Sequence, residues 1–464
     1  MSSFDLAVIG AGSAGFSAAI TATEQGAHVA LIGHGTIGGT CVNVGCVPSK
    51  TMIRATETLH HANAGRFAGI QTSAQRTDWS AVVAQKDELV ARLRHSKYLD
   101  QLDNYPGVDY LSGPAAFDRD GLLFDGAPLH AGKIIIASGS RASVPAIPGM
   151  AEIPYLTSTT AFELEELPRS MLLIGAGYIG CEMAQMLARA GVTVTIACRS
   201  RLLPEGEPEI SDALRGYLRD EGLTVLDGLS YERIDKDEDG IALTVRTGGG
   251  AETLRAEKLL LCAGRRPNTD GLGLDQAGID TNGNGGIAVD DRMRTSRAGV
   301  YAAGDVTGRD QFVYMAAYGA KIAAQNALNG DRLLYDNNAM PAVVFTDPQV
   351  ATVGLTEAEA QAAAHDVVTS ILPLDAVPRA LAARDTRGLI KLVADGASKR
   401  LLGAHILAPE GADSIQTAAL AIRQKMSYIE LGEMIFPYLT TVEGLKLAAQ
   451  TFEKDIAKLS CCAG

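Results

Sequence analysis

The sequence predicts an α/β protein of several domains, in which one parallel-sheet unit occurs twice. Three observations predict it. A strand–glycine turn–helix–strand pattern opens the chain and recurs near residue 170. The length, 464 residues, exceeds what one hydrophobic core organises, so two to four domains are expected. Hydrophobic residues make up 47% and charged residues 20%, the balance of a globular chain.

The first unit is FDLAVIGAGSAGFSAAITATEQGAHVALIG, residues 4–33. Its apolar strand, Leu6 to Ile9, runs into Gly10-x-Gly12-x-x-Gly15 and an alanine-rich helix. A second strand, His28 to Ile32, follows. Such a turn brings a pyrophosphate against a helix N-terminus. The second unit, MLLIGAGYIGCEMAQMLARAGVTVTIACRSR, repeats the design with Gly175-x-Gly177-x-x-Gly180. One GxGxxG is weak evidence, but two complete copies predict two dinucleotide sites.

The residue ending each second strand discriminates ligands: an acid suits a ribose 2′-hydroxyl, arginines suit a 2′-phosphate. The second unit ends Cys198-Arg199-Ser200-Arg201, which predicts NADPH rather than NADH. The first ends Ile32-Gly33-His34, with no acid where one is expected. Further on, TSRAGVYAAGDVTG (295–308) places Asp305 at a strand end. A carboxylate there either meets ligand hydroxyls or caps the next helix.

Composition excludes several functions. The net charge of −13 argues against nucleic acid or an anionic membrane as partner. The uncharged run Leu6–Thr23 carries three glycines and lacks a basic flank, so it reads as strand and helix rather than a leader or a membrane span. A cytoplasmic protein is expected. Seven cysteines do not make a disulfide scaffold. Cys181, Cys198 and Cys262 stand singly in apolar stretches and read as small buried hydrophobes. Two pairs remain, Cys41 with Cys46 and Cys461 with Cys462.

GGTCVNVGCVPSK (38–50) carries the redox chemistry. Five residues of regular helix hold two Cα atoms too far apart for a disulfide. Cys41 is therefore expected at or before the first turn, with the chain distorted there. A helix N-terminus also favours a thiolate. A zinc half-site fits poorly, because no second Cys/His pair has ligand spacing.

Together, GGTCVNVGCVPSK, the two glycine units and AAGDVTG resemble the flavoprotein disulfide reductase family over essentially the whole chain. PAVVFTDPQVATVGLTEAEA (341–360) resembles the start of that family's C-terminal dimerisation domain. The resemblance implies two Rossmann-like domains plus an α+β dimerisation domain. FAD binding would fall on residues 1–150 and 270–335, NADPH binding on 151–269, and the interface on 336–464. FAD contacts are implied for Gly10, Gly12, Gly15, Gly39, Thr40, Lys50, Ala115, Asp305 and Val313, and NADPH contacts for Gly175, Gly177, Gly180, Arg199 and Arg201. Cys41 and Cys46 would form the redox pair beside the flavin, with Glu182 paired to Lys50.

One departure narrows the function. Disulfide reductases of this family carry a C-terminal His-Pro whose histidine protonates the leaving thiolate, a step that chemistry needs. Here the segment is FPYLTTVEG, with Phe436 at the histidine's place, and none of the eight histidines lies beyond 405. A soft metal ion held by thiolates needs no such acid. The tail KLSCCAG and FPYLTTVEGLK resemble the Hg(II)-reducing branch of the family. That resemblance implies a homodimer in which Hg(II), arriving as a thiolate complex, passes from Cys461 and Cys462 of one subunit to Cys41 and Cys46 of the other. It also implies that Tyr178 and Tyr438 lie near the metal; a lid over the nicotinamide pocket, compatible with that role, is the other reading of Tyr178, and interface packing is the other reading of Tyr438. The alternative is a thioredoxin-reductase-like enzyme with a terminal redox cysteine pair.

Overall fold

The computed structural model describes residues 4–238 and 240–459. Its first sheet is wholly parallel, with strands in the order 300–302, 131–136, 4–9, 29–33 and 108–112. The chain thus leaves this sheet after residue 136 and returns with Val300–Ala302. Helix Ser13–Thr23 packs against helix Val313–Asn329 on one face. Leu6, Ala7 and Val8 are fully buried, as strands covered on both faces require.

The second sheet repeats the plan, in the order 224–226, 193–197, 170–174, 258–261 and 156–157. An antiparallel meander, 230–256, is inserted before its last long strand. The C-terminal part is α+β. Five antiparallel strands, in the order 341–344, 349–354, 401–408, 389–395 and 367–373, pack against helices Gly411–Arg423 and Glu443–Gln450. No helix among the described residues is long and apolar enough to cross a membrane.

Two buried ion clusters join these parts. Lys391, 1% exposed, places its ammonium 2.9 Å from Glu207 and from Glu209 and 2.7 Å from Glu357, between the second unit and the C-terminal sheet. That ammonium occupies the middle of the carboxylate group, which therefore does not read as a metal site. Nearer the redox segment, Asp347 accepts from His61 at 3.0 Å, Arg189 at 3.0 Å and Arg387 at 3.1 Å. His61 belongs to helix Cys46–Asn63, and Arg189 ends helix Tyr178–Arg189. One carboxylate thus ties both site-bearing helices to the C-terminal part.

Burial alone would raise the Asp347 pKa, but the His61 hydrogen bond and the Arg387 and Arg189 charges hold it well below the usual carboxylate range. Its stabilisation is therefore present above about pH 4, the unfolded value, and lost as pH falls through the folded one. Asp347→Ala leaves Arg189 with Glu221 and Arg387 with Asp385 but removes the carboxylate that joins them to His61, and should cost about 2 kcal/mol. The check is the midpoint of urea unfolding at pH 7, where an unchanged midpoint would deny the cluster its role.

Candidate active site

Both glycine turns are built to receive an anion. Helices Ser13–Thr23 and Tyr178–Arg189 start at Gly12 and Gly177 with no side-chain cap, which leaves their first N–H groups for a ligand. Gly10 has φ 120°, and a Cβ there would sit 2.2 Å from the Ala137 carbonyl oxygen; Gly175 stands in the same relation to Cys262 O, at 2.4 Å. Residues of these types fit two dinucleotides. A cavity of about 2470 Å³ runs from one turn to the other, with the Cys41–Cys46 segment between them.

Backbone contact seats that segment. A Cβ on Gly39 (φ 66°) would come within 2.7 Å of Gly12 Cα, so the redox segment crosses directly over the first turn. Cys41 lies in a short helix, Gly39–Val44, and Cys46 opens the long helix Cys46–Asn63. The break falls at Gly45 (φ −127°, ψ −109°). Spacing alone predicts a distorted entry at Cys41. The distortion instead lies between the cysteines, and Cys46 takes the helix N-terminus.

Both thiols are free and half-buried. The hydrogen bond Cys41 gives to Cys46, followed by burial, holds the Cys41 thiol protonated far above its ordinary range. Cys46 is the thiolate of the pair. Accepting that bond lowers its pKa to about 7, burial opposes the shift, and the Lys50 charge assists it. Lys50 is one turn along the same helix face. Its ammonium lies 2.8 and 3.0 Å from the Glu182 carboxylate and 4.6 Å from the Phe345 ring centroid. Glu182, 6% exposed, also accepts the Phe345 N–H at 2.9 Å.

Thr40, Ala115, Asp305 and Val313 also line the cavity. Asp305 accepts from Ser140 Oγ at 2.6 Å, and Arg265 holds that same hydroxyl at 2.7 Å. The 3₁₀ turn that Asp305 opens has no side-chain cap, so capping does not account for this carboxylate. Tyr178 opens the second helix with its ring 5.6 Å from Phe312, which stacks on Tyr314 at 5.4 Å. Burial raises the Tyr178 pKa, which keeps the phenol neutral.

In the second unit the arginines differ. Arg199 is exposed at the cavity. The Arg201 guanidinium instead donates to the Pro204 carbonyl at 3.0 Å and to that of Gly206, closing its own loop. Tyr438 is 57% exposed and does not line the cavity, and neither does Phe436. Cys461 and Cys462 lie outside the described residues. Sequence reasoning missed Phe345, Ser140, Arg265 and Tyr314; none carries a motif, and each meets the site through long-range packing.

Residues 4–324 match the family described as pyridine nucleotide-disulphide oxidoreductase, and residues 340–449 match its dimerisation domain. The chain is 46% identical over 463 residues to the mercuric reductase of Lysinibacillus sphaericus, covering 99% of this chain and 85% of that protein. It is 45% identical over 469 residues to the mercuric reductase of Streptomyces lividans, covering 99% and 98%. Among solved structures it is similar to the HOCl-induced flavoprotein disulfide reductase RclA of Escherichia coli. That likeness has a TM-score of 0.85 at 32% identity and covers 96% of this chain and 99% of that one.

The thiol assignment predicts a pH profile. In the dithiol enzyme, alkylation of Cys46 by iodoacetamide should rise with pH to a midpoint near 7. Cys41→Ala removes the largest lowering influence and should move the midpoint upward, read by mass spectrometry of the labelled peptide. A midpoint unmoved by that substitution would contradict the assignment.

Proposed function

The chain belongs to the pyridine nucleotide-disulphide oxidoreductase family, and on that premise we propose that it is an NADPH- and FAD-dependent reductase of Hg(II) to Hg(0). The observation that carries the proposal is the pair of free, half-buried cysteines, Cys41 and Cys46, with Cys46 at a helix N-terminus and its pKa lowered, lining the cavity that reaches both glycine turns. The names of the relatives point the same way.

The first turn, with Gly39, Thr40, Asp305 and Val313, would hold FAD. The second turn, with Arg199, would hold NADPH, and Arg201 would shape the loop presenting Arg199. Bound in this way, the two cofactors supply a two-electron path from nicotinamide to the cysteine site.

The chain's own residues do the rest. The Cys46 thiolate attacks Hg(II) and displaces one thiolate of the arriving complex. Cys41 replaces the second, and its proton goes to the departing thiolate. The metal is then held by two sulfurs, the coordination a soft cation favours. Two electrons convert it to Hg(0), which leaves both cysteines as thiolates. Lys50 holds positive charge beside Cys46 throughout, and Glu182 fixes the ammonium there. Cys41 itself supplies the one proton that a departing thiolate takes, so no separate acid is needed at position 436, which suits Phe436.

Delivery would come from Cys461 and Cys462 of the partner subunit. Support for a homodimer is the dimerisation-domain match and the apolar face around Met434, Ile435 and Tyr438, where Ile435 is 97% exposed. A site completed by the partner explains why Tyr438 stands outside the cavity of a single chain.

Purified enzyme with excess thiol should oxidise NADPH at least about tenfold faster when Hg(II) is added, and release volatile mercury. Glutathione disulfide and oxidised thioredoxin should give no stimulation. Stimulation by either disulfide, with Hg(II) acting only as an inhibitor, would identify a disulfide reductase instead.

A further inference from the structure

In this kind of unit a carboxylate at the end of the second strand takes the adenosine ribose hydroxyls. That place is Gly33, the last residue of strand Val29–Gly33. The structure shows why no side chain leaves it. A Cβ at residue 33 would sit 2.4 Å from Tyr110 Oη and 2.7 Å from Tyr110 Cε2. Tyr110 lies on the neighbouring strand, Val108–Ser112, opposite Leu31, and its ring packs on the core of the first unit. The ring thus fills the space through which a longer residue 33 would pass. Gly33 and Tyr110 both line the cavity, beside His34, Gly35 and Pro114. The Tyr110 hydroxyl makes no hydrogen bond with any described residue.

We propose that the Tyr110 hydroxyl, in place of a carboxylate, hydrogen-bonds the adenosine ribose of the dinucleotide on the first turn. The assignment rests on the reading of that turn as the FAD site. A phenol both donates and accepts, so it serves a sugar hydroxyl in either direction. Being uncharged, it adds no repulsion toward the nearby pyrophosphate, as a carboxylate would. Gly33 and Tyr110 then act as one unit: the glycine leaves room for the ring, and the tyrosine takes over the task of the absent side chain.

The test compares ligands as well as variants. Flavin is stripped from the holoenzyme, and Kd is measured by flavin fluorescence for FAD and for FAD lacking the adenosine 2′- or 3′-hydroxyl. The unaltered protein should bind FAD about fivefold to tenfold more tightly than one of the deoxy forms, the span expected of one net hydrogen bond. Tyr110→Phe keeps the ring and should lose that preference, binding FAD as weakly as the analogue. Equal affinity of the unaltered protein for all three ligands overturns the assignment without any variant having to fold. A preference that survives in Tyr110→Phe overturns it as well. Protein that is purified without flavin and binds none would overturn the FAD reading of the first turn, and the Tyr110 assignment with it.

Discussion

The buried pairing of Lys50 with Glu182 is the constraint on which the site depends. A carboxylate 6% exposed is costly unless paired and hydrogen-bonded. Glu182 meets both conditions, with an ammonium at 2.8 Å and a backbone N–H at 2.9 Å. Its partners come from different parts of the chain. Lys50 lies on the cysteine helix, Glu182 on the helix of the second glycine turn, and Phe345 leads into the C-terminal sheet. Satisfying one buried charge therefore fixes three segments, and because Cys46 stands one turn before Lys50, the thiolate is fixed with them.

The same pair also acts on the electrostatics of the thiolate. Lys50 lowers the Cys46 pKa, and Glu182, a smaller influence, raises it. The hydrogen bond from Cys41 then decides the outcome. Cys181, Cys198 and Cys262 show the contrast: burial raises all three well above the ordinary thiol value, which makes them poor ligands at neutral pH.

The two glycine units were legible because turn chemistry and strand–helix periodicity are local properties. The return of Val300–Ala302 to the first sheet was legible only through the family resemblance, which implied a split FAD domain, since a three-residue strand has no pattern that names its neighbour. Within the site, the Cys41–Cys46 spacing announced a break in the helix but not that Gly45 would bear it. Lys50 and Glu182 are 132 residues apart, and only the family resemblance linked them. The two arginines after the second unit look equivalent in sequence, yet local carbonyls claim Arg201 and leave Arg199 exposed. Gly33 read as a missing acid; its meaning emerged only with the Tyr110 ring in place on the adjacent strand.

The central claim is that Cys41 and Cys46 together hold Hg(II) as a bis-thiolate. X-ray absorption at the mercury edge tests it most directly. The sample is enzyme with the Cys41–Cys46 pair reduced and the flavin oxidised, Cys461 and Cys462 replaced by alanine, and one equivalent of Hg(II) added. Two sulfur neighbours are predicted, falling to one when either Cys41 or Cys46 is also replaced. A mercury environment unchanged by those replacements would contradict the account.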